Sequence, residues 1–245
     1  MENPARMELP LFYRRPVALS SARHFATSFP GIADYGFARN SNSVPLSLVE
    51  FSLAVRHYPI VFAGSKPAIP VVILGIEATE NLFVDADGRW MEGAYVPAYV
   101  RRYPFIFIED EAKKEFVLAI DEAAEAVRDG EANRLFWNGK PTAIVEKALA
   151  FCSEYQANVN ATREFCDALE EEALLAEKEA DFALKSGKRA RLTGFRVIEE
   201  ARFDKLRDRT FLAFRKRGWL HPIYLHLVAT ANWANLVDLA AKRGA

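Results

Sequence analysis

Up to residue 141 the apolar positions come in short runs, broken by Pro, Gly or acidic turns; from Thr142 they recur every three or four residues. The first pattern predicts short strands and helices. Residues 9–19 read as a strand at a sheet edge, since Pro16 cannot donate to a ladder. Residues 20–43 read as loop, with a further short strand at 35–38. Ser43-Val44-Pro45 is expected to start a helix, Ser43 as cap and Pro45 in the first turn. That helix should stop at Tyr58, because the residue before Pro59 is pushed out of the α region. Strands follow at 60–62 and 68–76, a turn at Asp85-Ala86-Asp87-Gly88, and a shorter helix from Tyr95-Val96-Pro97 to Tyr103. Residues 105–108 and 115–120 predict paired strands around a polar turn at 110–114. Asp121 to Gly130 reads as a short acidic helix, and Asn138-Gly139 as a turn.

The second pattern predicts a long amphipathic helix, with Val145, Ala148, Cys152, Tyr155, Val159, Thr162, Cys166, Leu169 and Ala173 along one stripe. Such a helix could pair with a second subunit, so a homodimer through 142–176 is one expectation. Alternation at Ala180, Phe182 and Leu184 and again at Ala190 and Leu192 predicts a hairpin turning at Ser186-Gly187-Lys188. A charged helix over 199–217, stopped by Gly218, and a last helix from Trp219 to about Lys242 complete the chain. The expected class is α+β: a mainly antiparallel sheet with short helices in the N-terminal part, then the long helix, the hairpin and two helices. One domain of 245 residues is expected, subdivided if at all into a strand-rich 1–141 and a helix-rich 142–245.

One phrase occurs twice. Val55-Arg56-His57-Tyr58-Pro59-Ile60-Val61-Phe62 returns as Val100-Arg101-Arg102-Tyr103-Pro104-Phe105-Ile106-Phe107, with five of eight positions identical. Each copy ends a helical pattern and enters an apolar strand. Basic residues in a last helical turn offset the helix dipole, and Pro stops the helix, so a repeated helix-to-strand joint explains the phrase. The competing reading is an anion site: Arg56, His57, Arg101 and Arg102 would present cations to a carboxylate or phosphate, lined by Tyr58 and Tyr103. His226, in the last helix, is a further candidate for proton transfer or ligand contact. These seven residues are the candidate ligand-binding set.

Charge changes the picture locally, not globally. The net charge is −1. Yet Glu164–Asp181 holds eight acids and one base, and Lys185–Arg217 twelve bases and four acids. Neighbouring segments of opposite sign are expected to pair, within the fold or across a dimer, so nucleic acid is not the expected partner. The two cysteines lie on the helix stripe and outside any CxxC, which predicts reduced core thiols with neither disulfide nor zinc site. The first residues lack an apolar signal region, and no run of about 18 apolar residues exists, so a cytoplasmic chain without membrane insertion is expected. There is no GxGxxG, GxxxxGK[ST], HExxH or GxSxG, and no histidine opens an His-x-Asp or His-x-Glu. No cofactor or metal is therefore expected.

Asn81-Leu82-Phe83-Val84-Asp85 with Gly88-Arg89-Trp90, the block from Tyr95-Val96-Pro97-Ala98-Tyr99 to Phe105, Leu192-Thr193-Gly194-Phe195 and Ile223-Tyr224-Leu225-His226-Leu227 resemble the SapC family of bacterial proteins. The resemblance implies a link to a surface-layer locus. In proteobacterial relatives it implies proximity to outer-membrane receptors and halogenase-like flavoproteins, hence nutrient uptake or substrate modification. It carries no catalytic residues. The expected function is a non-catalytic binding or accessory protein acting with a protein partner or a small anionic ligand. The alternatives are an enzyme using the basic corners and His226, and a structural coat component.

Overall fold

The structure is a computed structural model that describes residues 9–64, 66–110, 115–183 and 189–243. In chain order the strands are β1 (Pro16–Ala18), β2 (Thr27–Ser28), β3 (Ser43–Pro45), β4 (Ile60–Ala63), β5 (Ile69–Ile73), β6 (Phe105–Asp110), β7 (Glu115–Asp121), β8 (Arg128–Asp129), β9 (Phe136–Trp137), β10 (Lys140–Pro141), β11 (Leu175–Ala183) and β12 (Arg189–Ile198). The helices are α1 (Phe51–Ala54), α2 (Ala98–Arg101), α3 (Ala143–Glu171), α4 (Glu200–Phe203), α5 (Asp208–Lys216), α6 (Leu220–Ala229) and α7 (Asn232–Arg243). All strand pairs are antiparallel, and the fold is α+β as expected.

The chain forms two compact units, each built from two stretches: residues up to 33 with 102–154, and 34–101 with 155 onward. In the first unit β7 lies between β1 and β6, with Ile120 opposite both Val17 and Phe105. β1 is the edge strand, which is where Pro16 can sit. The core holds Phe105, Leu118, Ile120, Leu135, Phe136, Val145 and Cys152. In the second unit the sheet order is β11-β12-β4-β5-β3. Phe62, Phe165, Leu169, Ile198, Phe214 and Ile223 are all but sealed from solvent. Each such side chain stabilises the unit by about 1.5–3 kcal/mol. The stripe of α3 is consumed in these cores: Val145 and Cys152 in the first, Cys166 and Leu169 in the second.

Five expectations about elements are corrected. Ser43-Val44-Pro45 is not a helix start but the edge strand β3, because Val44 is buried opposite Val72. The helical stretch begins instead at Leu48, after Ser47, whose amide and hydroxyl bond the Glu50 carboxylate. Residues 36–38 form a 3₁₀ turn rather than a strand. Asp121–Gly130 is turn and short strand rather than helix, since the Asp121 carboxylate is taken by backbone amides. The last helix is two: α6 and α7 are separated by Thr230-Ala231. The 199–217 helix likewise divides into α4 and α5. The turn read at 110–114 beyond its first residue, the turn read at 186–188 and the first residues lie outside the described residues.

Candidate functional site

Both copies of the repeated phrase are helix-to-strand joints: α1 leads through Tyr58-Pro59 into β4, and α2 through Tyr103-Pro104 into β6. The boundary between the units falls inside the second copy, after Arg101. Arg56 and Arg101 are exposed, His57 and Arg102 half-buried, and both tyrosines buried. Each tyrosine hydroxyl is used inside its unit. Tyr58 donates to the Tyr95 carbonyl and accepts from Trp90 Nε1 at 3.1 Å. Tyr103 donates to Asp121 Oδ2 at 3.2 Å, and its ring meets Tyr13 edge-on. Burial pushes the Tyr103 phenol up to about 12, helped by the Asp121 charge.

A buried carboxylate organises each joint, and neither was visible as a site in the sequence. Glu50, 4% exposed, accepts four hydrogen bonds. Oε2 takes the Ser47 amide at 2.9 Å and hydroxyl at 2.6 Å. Oε1 takes the Tyr95 hydroxyl at 2.8 Å and the Ala98 amide, at the start of α2, at 2.7 Å. Tyr95 in turn accepts from Arg101 Nη2 at 3.1 Å, so Tyr58 and Arg101 meet on Tyr95 rather than on an open pocket. Burial, then the Glu50 charge, pushes the Tyr95 phenol up to about 12. Asp121, sealed from solvent, accepts from the amides of Arg14, Arg15 and Ala123 and from Tyr103. The Ser47-x-x-Glu50 capping box was legible. The bonds from Tyr95 and Ala98, 45 and 48 residues away, were not.

Asn232, at the start of α7, donates to the carbonyls of Val55 at 2.7 Å and Tyr58 at 3.0 Å. These are carbonyls left over where α1 ends. Asn232→Ala is expected to cost about 2 kcal/mol, because one buried and one partly buried acceptor lose their donor. A denaturation midpoint equal to wild type would contradict it.

His226 is fully buried beside the Phe62 ring. Its Nε2 accepts the Ile198 amide at 3.0 Å, which fixes a neutral imidazole with the proton on Nδ1. Nδ1 makes no hydrogen bond of normal geometry, and a weaker interaction with the Ile60 backbone favours the charged form. Burial dominates and pushes the imidazole from near 6.5 down to about 4. The unfolded chain therefore binds a proton between these values that the folded chain refuses. The His226 contribution to stability is complete above pH 6.5 and is lost as pH falls toward 4, about 3 kcal/mol in all. In urea titrations at pH 7.5 and 4.5, His226→Gln should show a shallower loss than wild type by a comparable amount; parallel losses would sink the assignment. His57 is also pushed down, by burial first and then by the Arg56 charge. Burial raises the Cys152 and Cys166 thiols to about 11 and about 12, so both are inert core residues at neutral pH.

A concave surface lies elsewhere in the second unit. The C-terminal half of α3 and the helix α5 bound a cleft of about 800 Å³. Glu164, Asp167 and Glu171 recur at helical spacing along the α3 wall, with Glu172 beyond. Arg207, Arg209 and Arg217 line the other side, with Phe214 and Trp219 at the base. Gly218 sets that base. Its φ of 75° suits glycine, its amide bonds the Arg215 carbonyl and the Trp219 amide bonds the Phe214 carbonyl. Helix α5 thus ends in a Schellman turn, with the Phe214 and Trp219 rings in edge contact. The Arg217 guanidinium lies 4.7 Å above the Trp219 ring. As expected, the oppositely charged segments pair within the fold: Arg196 with Glu170 at 2.7 Å, Arg191 with Asp181 at 2.8 Å, and across the cleft Arg217 with Glu164 and Arg207 with Glu172. His226 does not line the cleft.

The SapC family model matches residues 19–236. The chain belongs to the SapC family. No curated protein and no solved structure matches it. In this SapC-family chain the family blocks read in the sequence supply Trp90, Tyr95, Tyr103 and His226, each engaged in an internal hydrogen bond. Among the described residues, no helix is long and apolar enough to cross a membrane, and no cluster of three or more His, Cys, Asp or Glu suits a metal ion.

Proposed function

We propose that this SapC-family chain is a cytoplasmic binding or accessory protein that works with a partner in nutrient uptake or substrate modification, and that it meets that partner at the α3–α5 cleft. The cleft carries the reading: it joins a concavity of ligand size to charged walls and an aromatic base. The corner residues support a binding role over a catalytic one. The Tyr58 and Tyr103 hydroxyls, the His226 Nε2 and the Arg101 guanidinium are engaged in internal bonds, which leaves Arg56 and His57 as a contact for a small anion at most.

Ala213 is exposed on α5 and lines the cleft. Ala213→Trp should fill the cleft without disturbing the core. The full chain is expected to yield a cross-linked complex in cells that this variant loses at an unchanged melting temperature. Equal yields from both chains would overturn the reading. So would turnover of a peptide or sugar by the purified chain that Arg101→Ala abolishes.

A further inference from the structure

The ion pairs spanning the cleft do not close it. Arg217 stands 3.9 Å from Glu164 and Arg207 3.8 Å from Glu172, the outer limit of an ion pair, and the arginines and Glu164 are largely exposed. Pairs of this kind contribute little to stability because water screens them. The side chains of Asp167, Glu171 and Arg209 make no ion pair or hydrogen bond among the described residues. Glu172 also accepts from the Thr210 hydroxyl at 3.3 Å, so the charges displayed without a partner among the described residues are Asp167 and Glu171 on one wall and Arg209 on the other.

That arrangement selects by charge pattern. Four carboxylates face three guanidiniums, so a polyanion meets the α3 wall and a polycation meets the α5 wall, each with like charges in contact. Like-charge contacts discriminate strongly between partners. A ligand carrying both signs avoids either penalty. The volume, about 800 Å³, suits a ligand well above the size of a free amino acid. The Trp219 ring is buried beneath Arg217 and holds that guanidinium at the cleft.

Resting on the assignment of binding to this cleft, we infer that its ligand is a short peptide segment bearing at least one cationic and one anionic side chain. Its cation lies against Asp167 and Glu171, and its anion against Arg209.

The test uses the full chain and end-capped, fluorescein-labelled octapeptides of three compositions: Lys and Glu in equal number spaced by Ala, Lys alone spaced by Ala, and Glu alone spaced by Ala. Fluorescence anisotropy should show the mixed peptide binding about tenfold more tightly than either single-sign peptide, and Arg209→Glu or Asp167→Lys should each weaken it by about tenfold. Both positions are exposed, and an unchanged melting temperature confirms that each variant folds. Asp167→Lys should also raise the affinity of the Glu-only peptide. If a single-sign peptide binds as tightly as the mixed one and the same variants alter that binding, the two-sign inference fails while the cleft stands. If binding ignores Arg209→Glu, Asp167→Lys and Ala213→Trp alike, the cleft assignment fails with it. Absence of binding by all three peptides overturns the inference.

Discussion

Replacing Glu50 by Ala should destabilise the chain by about 4 kcal/mol, although this residue is not among those singled out in the sequence. The carboxylate accepts from Ser47 twice, from Tyr95 and from the Ala98 amide. Its removal strands four donors of three residues in a site that water does not reach, at about 1–3 kcal/mol each before relaxation. At roughly 2–4 °C per kcal/mol for a chain of this size, the melting temperature falls by about 8–16 °C. Glu77→Ala, at an exposed position, should stay within about 0.5 kcal/mol. A Glu50→Ala shift as small as that of Glu77→Ala would show that the two helix starts do not depend on the carboxylate.

The second large effect is at the other joint. Tyr103→Ala is expected to cost about 4 kcal/mol, because it empties a buried aromatic position against Tyr13 and leaves Asp121 short of a donor. Tyr103→Phe, which keeps the ring, should cost about 1 kcal/mol. Arg102→Ala should fall between Phe and Ala at position 103. Arg102 is half-buried with its guanidinium 5.7 Å from the centre of the Tyr13 ring, so it is more than the solvated charge that its position in the sequence suggests. Equal melting temperatures for Tyr103→Ala and Arg102→Ala would contradict the joint's dependence on ring packing.

The repeat shows where sequence reading works and where it stops. Tyr-Pro after an apolar helical turn is a local instruction: the backbone before Pro leaves the α region, and the next residues extend. Both joints follow it. Ser43-Pro45 carries an equally good local signal for a helix start and does not follow it. The backbone groups of Val44 find their partners on β5, and burying Val44 outweighs a cap at Ser43. The single helix expected from Trp219 to Lys242 breaks for a comparable reason. Asn232 is drawn to the carbonyls of Val55 and Tyr58, a demand made 177 and 174 residues earlier in the chain.

The candidate site divides the same way. Of the seven residues singled out by residue type, Tyr58, Tyr103 and His226 are buried and bonded within the fold, while Arg56 and Arg101 face solvent. Residue type alone does not distinguish a tyrosine that lines a pocket from one that closes a joint. The acidic and basic blocks were legible as a pair that would meet, but not as the walls of a cleft, because that depends on the spacing between α3 and α5.

By itself the sequence determined the family, the α+β class, the helical stripe of α3, the stop at Gly218 and the two helix-to-strand joints, since these rest on motifs, local backbone preference and periodicity. Only the tertiary structure decided that residues 34–101 fold with 155 onward, that Glu50 and Asp121 anchor the joints, and that the acidic and basic blocks face each other across the α3–α5 cleft. Those features depend on hydrogen bonds and distances between segments far apart in the chain, and no local pattern records which donors a buried carboxylate will meet.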